Sequence, residues 1–147
     1  MIGVKFKITF KKLKKTNFFI YSTGDDNNDS YLINFLKNKK CFIYRGFKEI
    51  NFFNFLYTIK NSGLKNFKKK YFENILKFTK PKLALTSNDL IMQFYSIKKI
   101  DKRIKLIVIQ NGLRFEKHRM KLKGFSVDYF FTFGKYHSKK ISRFVKA

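Results

Sequence analysis

Between residues 105 and 114 the chain reads Lys105-Leu-Ile-Val-Ile-Gln-Asn-Gly-Leu-Arg114. An apolar, mostly β-branched run stops abruptly at polar groups and a glycine. Such an uninterrupted run suits a strand buried on both faces, the habit of parallel sheets in α/β domains. Ligands of these sheets bind just beyond the carboxyl ends of the strands. Gln110, Asn111, Gly112 and Arg114 fall at that place. The segment therefore points both to a fold and to a site.

The rest of the chain repeats the pattern. Residues 4–10 alternate with period two and predict an edge strand. Residues 17–22, 41–44, 82–86, 106–109 and 127–133 are short apolar runs that predict five further strands. Helical spacing is expected over 31–37, 52–60, 64–79, 90–97 and 135–145. Pro81 ends the third of these, because the residue before proline is pushed out of the helical region. Gly24 to Ser30 is expected as a solvated loop, with Asp29 or Ser30 capping the helix after it. Strands alternating with helices predict a parallel sheet. The expected fold class is α/β: a Rossmann-like, mostly parallel sheet of about five strands covered by helices, over residues 1–147.

Composition limits the function classes. Hydrophobic residues make up 44% and aromatics 19%, enough for a buried core. The lone Cys41 has no internal disulfide partner and is expected to be a small buried residue, which fits a reducing cytoplasm. No segment approaches the ~20 apolar residues of a membrane-spanning helix. The net charge of +25 invites a nucleic-acid reading. Only five arginines contribute, however, and the lysines are spread along the chain. Arginine is the residue preferred for bidentate phosphate and base contacts. The charge is therefore read mainly as the general basic surface of an AT-rich genome, and nucleic acid as the less favoured partner. Contact with an anionic membrane surface stays open, since each nearby lysine adds about 1 kcal/mol.

Four features in order carry a family resemblance. They are Pro81-Lys-Leu-Ala-Leu-Thr-Ser-Asn-Asp89, a helix, the 107–114 strand end, and Val127-Asp-Tyr-Phe-Phe-Thr-Phe-Gly134. Together they resemble the N-terminal half of GT-B-type glycosyltransferases of bacterial surface-carbohydrate (capsule and lipopolysaccharide) biosynthesis. UDP-N-acetylglucosamine 2-epimerases are similar at the Gly-Leu-Arg strand end. The resemblance covers about residues 70–147. It implies an acceptor-binding half, a nucleotide-sugar donor as substrate rather than a bound cofactor, and a cytoplasmic location with peripheral contact at the inner membrane face. In such enzymes, roughly twice this length, a C-terminal domain binds the donor, so the chain is expected either to be a fragment of a longer protein that lacks this domain or to stand alone without most of the donor site.

Each candidate residue has a functional and a structural reading. Gln110, Asn111 and Gly112 either offer amides and open backbone to sugar hydroxyls or form a tight Asn-Gly turn. Arg114 either holds a phosphate or carboxylate or pairs with Glu116. Asn88 and Asp89 lie in the same crevice. Asp89 either binds a sugar hydroxyl or acts as a base, and it also suits a helix N-cap. His118 is a weaker candidate base. His137 is expected at the surface. No metal-ligand spacing and no nucleophile triad occurs in the sequence.

Overall fold

The computed structural model describes residues 7–22, 26–36, 39–110, 112 and 120–147, without the side chains of 26–29 and 47. Its main sheet contains β2 (Phe18–Tyr21), β3 (Cys41–Tyr44), β5 (Leu83–Thr86), β6 (Lys105–Ile109) and β8 (Tyr129–Phe131). All four neighbouring pairs are parallel, in the order β3-β2-β5-β6-β8. The expected α/β fold with a five-stranded, Rossmann-like parallel sheet is what the chain forms.

The winding reverses once. The chain steps from β2 out to β3, then returns across β2 to β5 and continues to β6 and β8. Right-handed crossovers put the connections before and after that reversal on opposite faces. Helix α1 (Asp26–Phe35) lies on one face. Leu32, Ile33 and the adjacent Leu36 pack there on Ile20, Leu85 and Ile43. The other face carries α3 (Phe67–Thr79), α4 (Met92–Tyr95) and α5 (Ile97–Ile100). Tyr71, Phe72, Ile75, Phe94, Tyr95 and Ile97 are buried there with Phe19, Ala84, Leu106 and Val108. Side chains alternate across a strand, so β2 sends Phe19 and Tyr21 to one cluster and Phe18 and Ile20 to the other.

Helix α2 (Phe52–Ser62) joins this layer through buried hydrogen bonds. Its N-cap Asn51 accepts the Asn54 N–H at 3.0 Å, and the Asn51 N–H donates to the Tyr71 hydroxyl at 2.7 Å. The Asn54 side chain donates to the Tyr71 carbonyl at 3.0 Å. These bonds tie the start of α2 to α3 where apolar contact alone would let two helices slide. Helix α3 ends at Thr79, ahead of Pro81, with Lys80 in the left-handed region at φ 44°.

Several expectations need correction. The N-terminal strand β1 (Lys7–Thr9) does not edge the main sheet. It pairs in parallel with β4 (Glu49–Asn51), a strand the apolar pattern does not announce. The loop expected over 24–30 is helical from Asp26, so neither Asp29 nor Ser30 is a cap. The helix expected over 90–97 begins only at Met92 and is broken at Ser96. The last one, α6, spans Gly134–Ile141 and gives way to β9 (Val145–Lys146), which pairs with β7 (Phe125–Ser126). Cys41 is half-buried rather than enclosed.

Candidate functional site

Buried polar residues are uncommon unless hydrogen-bonded, so their location is informative. Ser22, Thr86, Ser87, Asp89 and Gln110 are all nearly or fully buried. All five follow or end a central strand of the main sheet, at its carboxyl edge. Thr86 and Ser22 stand at the reversal between β2 and β5, where open α/β sheets leave a crevice.

The turn after β5 is built by its own side chains. The Thr86 hydroxyl donates to the Tyr21 carbonyl at 3.0 Å and accepts the Asn88 N–H at 3.1 Å. The Asn88 side-chain oxygen accepts the Leu90 N–H at 3.0 Å, a local turn of the kind asparagine favours. The Tyr95 hydroxyl donates to the Asp89 carbonyl at 2.8 Å. Ser-Asn-Asp therefore folds back on itself instead of entering a helix directly.

Asp89 departs from its expected cap role. The N-cap position of α4 is Ile91, and Asp89 is 0% exposed. In this conformation its carboxylate has no open face toward a ligand. Asn88 is half-buried at the same turn.

At the end of β6 the Gln110 N–H donates to the Phe131 carbonyl at 2.9 Å, extending the β6–β8 pairing by one residue. Its side-chain amide donates to the Gly112 carbonyl at 2.7 Å. This ties the Gln110 side chain to the backbone just beyond the strand end. Gly112 is half-buried beside it. Asn111, Arg114 and His118, with Glu116, lie outside the described residues. The structure thus brings Asn88, Asp89, Gln110 and Gly112 to one edge of the sheet.

Two functional-looking arrangements were not expected from the pattern. The Tyr21 hydroxyl donates to the Gln93 side chain at 2.6 Å, joining the reversal point to α4, and burial pushes it up to about 12. Asp128 accepts the Leu106 N–H at 2.8 Å and pairs with Lys98 at 2.7 Å and Lys105 at 3.0 Å. Burial raises its carboxyl, but the Lys98 contact, the Leu106 N–H and Lys105 together hold it down at about 2. Asp128 opens the Asp-Tyr-Phe-Phe motif of the resemblance, and here it fastens β6, the β8 entry and α5. An aspartate directly before an apolar strand was the available signal.

Basic clefts lie to the side. One of about 760 Å³ runs between α3 and α4–α5, lined by Lys68, Lys69, Phe72, Gln93 and Lys99. Another of about 730 Å³ lies between β1–β4 and β3, with Lys7, Lys11, Lys12, Lys14 and Cys41. His137 is half-buried, not exposed, with its ring edge-on to Tyr136 at 5.5 Å. Among the described residues no cluster of His, Cys, Asp and Glu suits a metal ion.

Fold and edge together define an α/β, Rossmann-like domain with a polar carboxyl edge. No protein-family model, curated protein or solved structure matches the chain.

Proposed function

We propose that this chain is the acceptor-side half of a glycosyltransferase-like enzyme of surface polysaccharide biosynthesis. In this reading the crevice beyond β2, β5 and β6 receives a sugar acceptor, and a second domain supplies the nucleotide-sugar donor site. The observation that carries it is the concentration of Ser22, Thr86, Ser87, Asp89 and Gln110 at the edge where the winding reverses. The resemblance of residues 81–89, 107–114 and 127–134 supports the same place. Asn88 and Gly112 are the described residues with partial exposure there, and Asn111 and Arg114 follow in sequence. Gln110 and Asp89 then act by holding the strand ends, not by touching the ligand. The lysines would meet an anionic, lipid-linked acceptor at the inner membrane face.

Amide-resolved NMR titration with alkyl glycosides as acceptor analogues tests this. Shifts confined to residues 22, 86–88 and 110–114, lost in Asn111→Ala with Arg114→Gln, support the reading. Shifts absent from that edge overturn it.

The alternative is a basic nucleic-acid-binding module without catalysis. The charge of +25 and the lysine-lined clefts favour it. It requires oligonucleotide binding that falls steeply with salt as counterions are released, centred on the clefts and not on the strand ends.

A further inference from the structure

The chain carries 34 basic residues against nine acidic ones, so most of its cations have no partner within it. Among the described residues Glu49 is taken by Arg45, Glu73 by Lys70, Asp101 by Arg103, and Asp128 by Lys98 and Lys105. Lysines left over on a convex surface are each solvated separately. In a cleft their fields add, because the low-dielectric walls focus them.

The cleft of about 760 Å³ between α3 and α4–α5 gathers such lysines. Lys68 and Lys69 line it from α3, and Lys99 lines it from α5. Lys69 and Lys99 belong to no ion pair among the described residues. Lys99 stands 5.9 Å from the Phe125 ring, at the outer limit of a cation–π contact. The acidic residue of the lining, Glu73, already accepts from Lys70 at 3.0 Å. A neutral donor joins the lysines. Gln93 lines the cleft, and its Oε1 accepts the Tyr21 hydroxyl at 2.6 Å. That bond fixes the amide and leaves Nε2 as the donor for a ligand.

The lining selects among anions. Lysine supplies compact point charges that suit phosphate oxygens, whereas planar carboxylates are better matched by the arginine fork. No arginine lines this cleft. A nucleobase needs an exposed aromatic face to stack on. The ring of the lining, Phe72, is 1% exposed. The chain does not supply the opposite charge itself. Its acidic stretch around Asp26 begins α1, on the other face of the sheet. Residues 1–6 and 113–119 together hold a single acid, Glu116.

We propose that this cleft binds a small, phosphate-dense anion of the di- or triphosphate class, held by Lys68, Lys69, Lys99 and the Gln93 amide. The proposal goes beyond both functional readings and depends on neither, because the cleft lies between helices and takes neither a sugar nor a base.

The probe is inorganic tripolyphosphate, titrated into the full chain by calorimetry at about physiological ionic strength. The cleft variant is Lys69→Gln with Lys99→Gln. The control is Lys121→Gln with Lys123→Gln, which removes the same charge at exposed positions outside the cleft. Circular dichroism confirms that both are folded. Citrate, a tricarboxylate, and an oligothymidine are titrated in parallel. Affinity for tripolyphosphate is expected to fall about tenfold or more in the cleft variant and less than about twofold in the control, with citrate roughly tenfold weaker than tripolyphosphate. Equal losses in the two variants overturn the proposal, since they show unlocalised charge. So does citrate or oligothymidine binding at least as tightly as tripolyphosphate with the same dependence on Lys69 and Lys99. Failure of the unaltered protein to bind tripolyphosphate at millimolar concentration overturns it as well.

Discussion

The Thr86 hydroxyl reaches from β5 to the Tyr21 carbonyl of β2 at 3.0 Å, spanning the point where the sheet reverses its winding. The same oxygen accepts the Asn88 N–H, so one side chain ties two strands and the turn beyond them. Thr86→Val keeps the shape and removes both bonds. It should cost roughly 1–3 kcal/mol, the usual loss when buried groups are left unpaired. Thr86→Ser should recover most of it. Urea unfolding of the three proteins checks this, and a valine variant as stable as the parent would sink it.

Asp128 should make the fold acid-sensitive. Its folded pKa lies at about 2, below the ordinary carboxylate value near 3.8. The unfolded chain therefore takes up the proton first as pH falls. The contribution is fully present above about pH 5 and is lost between there and pH 2. Asp128→Asn should be less stable than the parent at neutral pH by on the order of 2 kcal/mol, and the gap should shrink with acid. Melting curves recorded across that range give the comparison; a gap that stays constant contradicts the assignment.

Tyr44 presents the opposite case. Its hydroxyl is buried without a hydrogen-bond partner among the described residues. Its ring packs against Tyr21 at 5.0 Å and Phe72 at 5.1 Å. Burial pushes the phenol up, with Tyr21 and Tyr71 adding to the effect. Tyr44→Phe keeps the packing and removes an unpaired polar atom, so stability should be unchanged or higher by about 1 kcal/mol. A clear drop in melting temperature would show that the hydroxyl has a partner.

Cys41 should be a slow thiol. Burial pushes it from 9.0 to about 11, which lowers the thiolate fraction at pH 8 about 100-fold. Native protein should react with Ellman's reagent far more slowly than urea-unfolded protein. Equal rates would contradict the burial.

Much of the fold was legible because apolar periodicity reports local burial. The runs at 17–22, 41–44, 82–86 and 106–109 each supply a strand of the main sheet, at Phe18–Tyr21, Cys41–Tyr44, Leu83–Thr86 and Lys105–Ile109. Strand β4 was not legible. Glu49–Asn51 is three residues long and exists because β1 lies beside it, and three residues carry no periodic signal. Strand β9 begins at Val145, the last residue of the helix expected over 135–145, and its two residues carry no periodic signal either.

The candidate site divides along the same line. Its position followed from polar residues that abruptly end apolar strands, a local feature of Thr86 to Asp89 and of Gln110. The roles did not follow. Only the folded chain brings Gln110 to the Phe131 carbonyl, encloses Asp89, and sets Asp128 between Lys98 and Lys105. The sequence by itself determined which segments are strands and helices and where polarity interrupts them, because those depend on neighbours along the chain. The strand order, the small β1–β4 sheet, the buried polar contacts and the partial exposure of Tyr129 and Phe131 were decided by tertiary structure, because each depends on which distant segments meet.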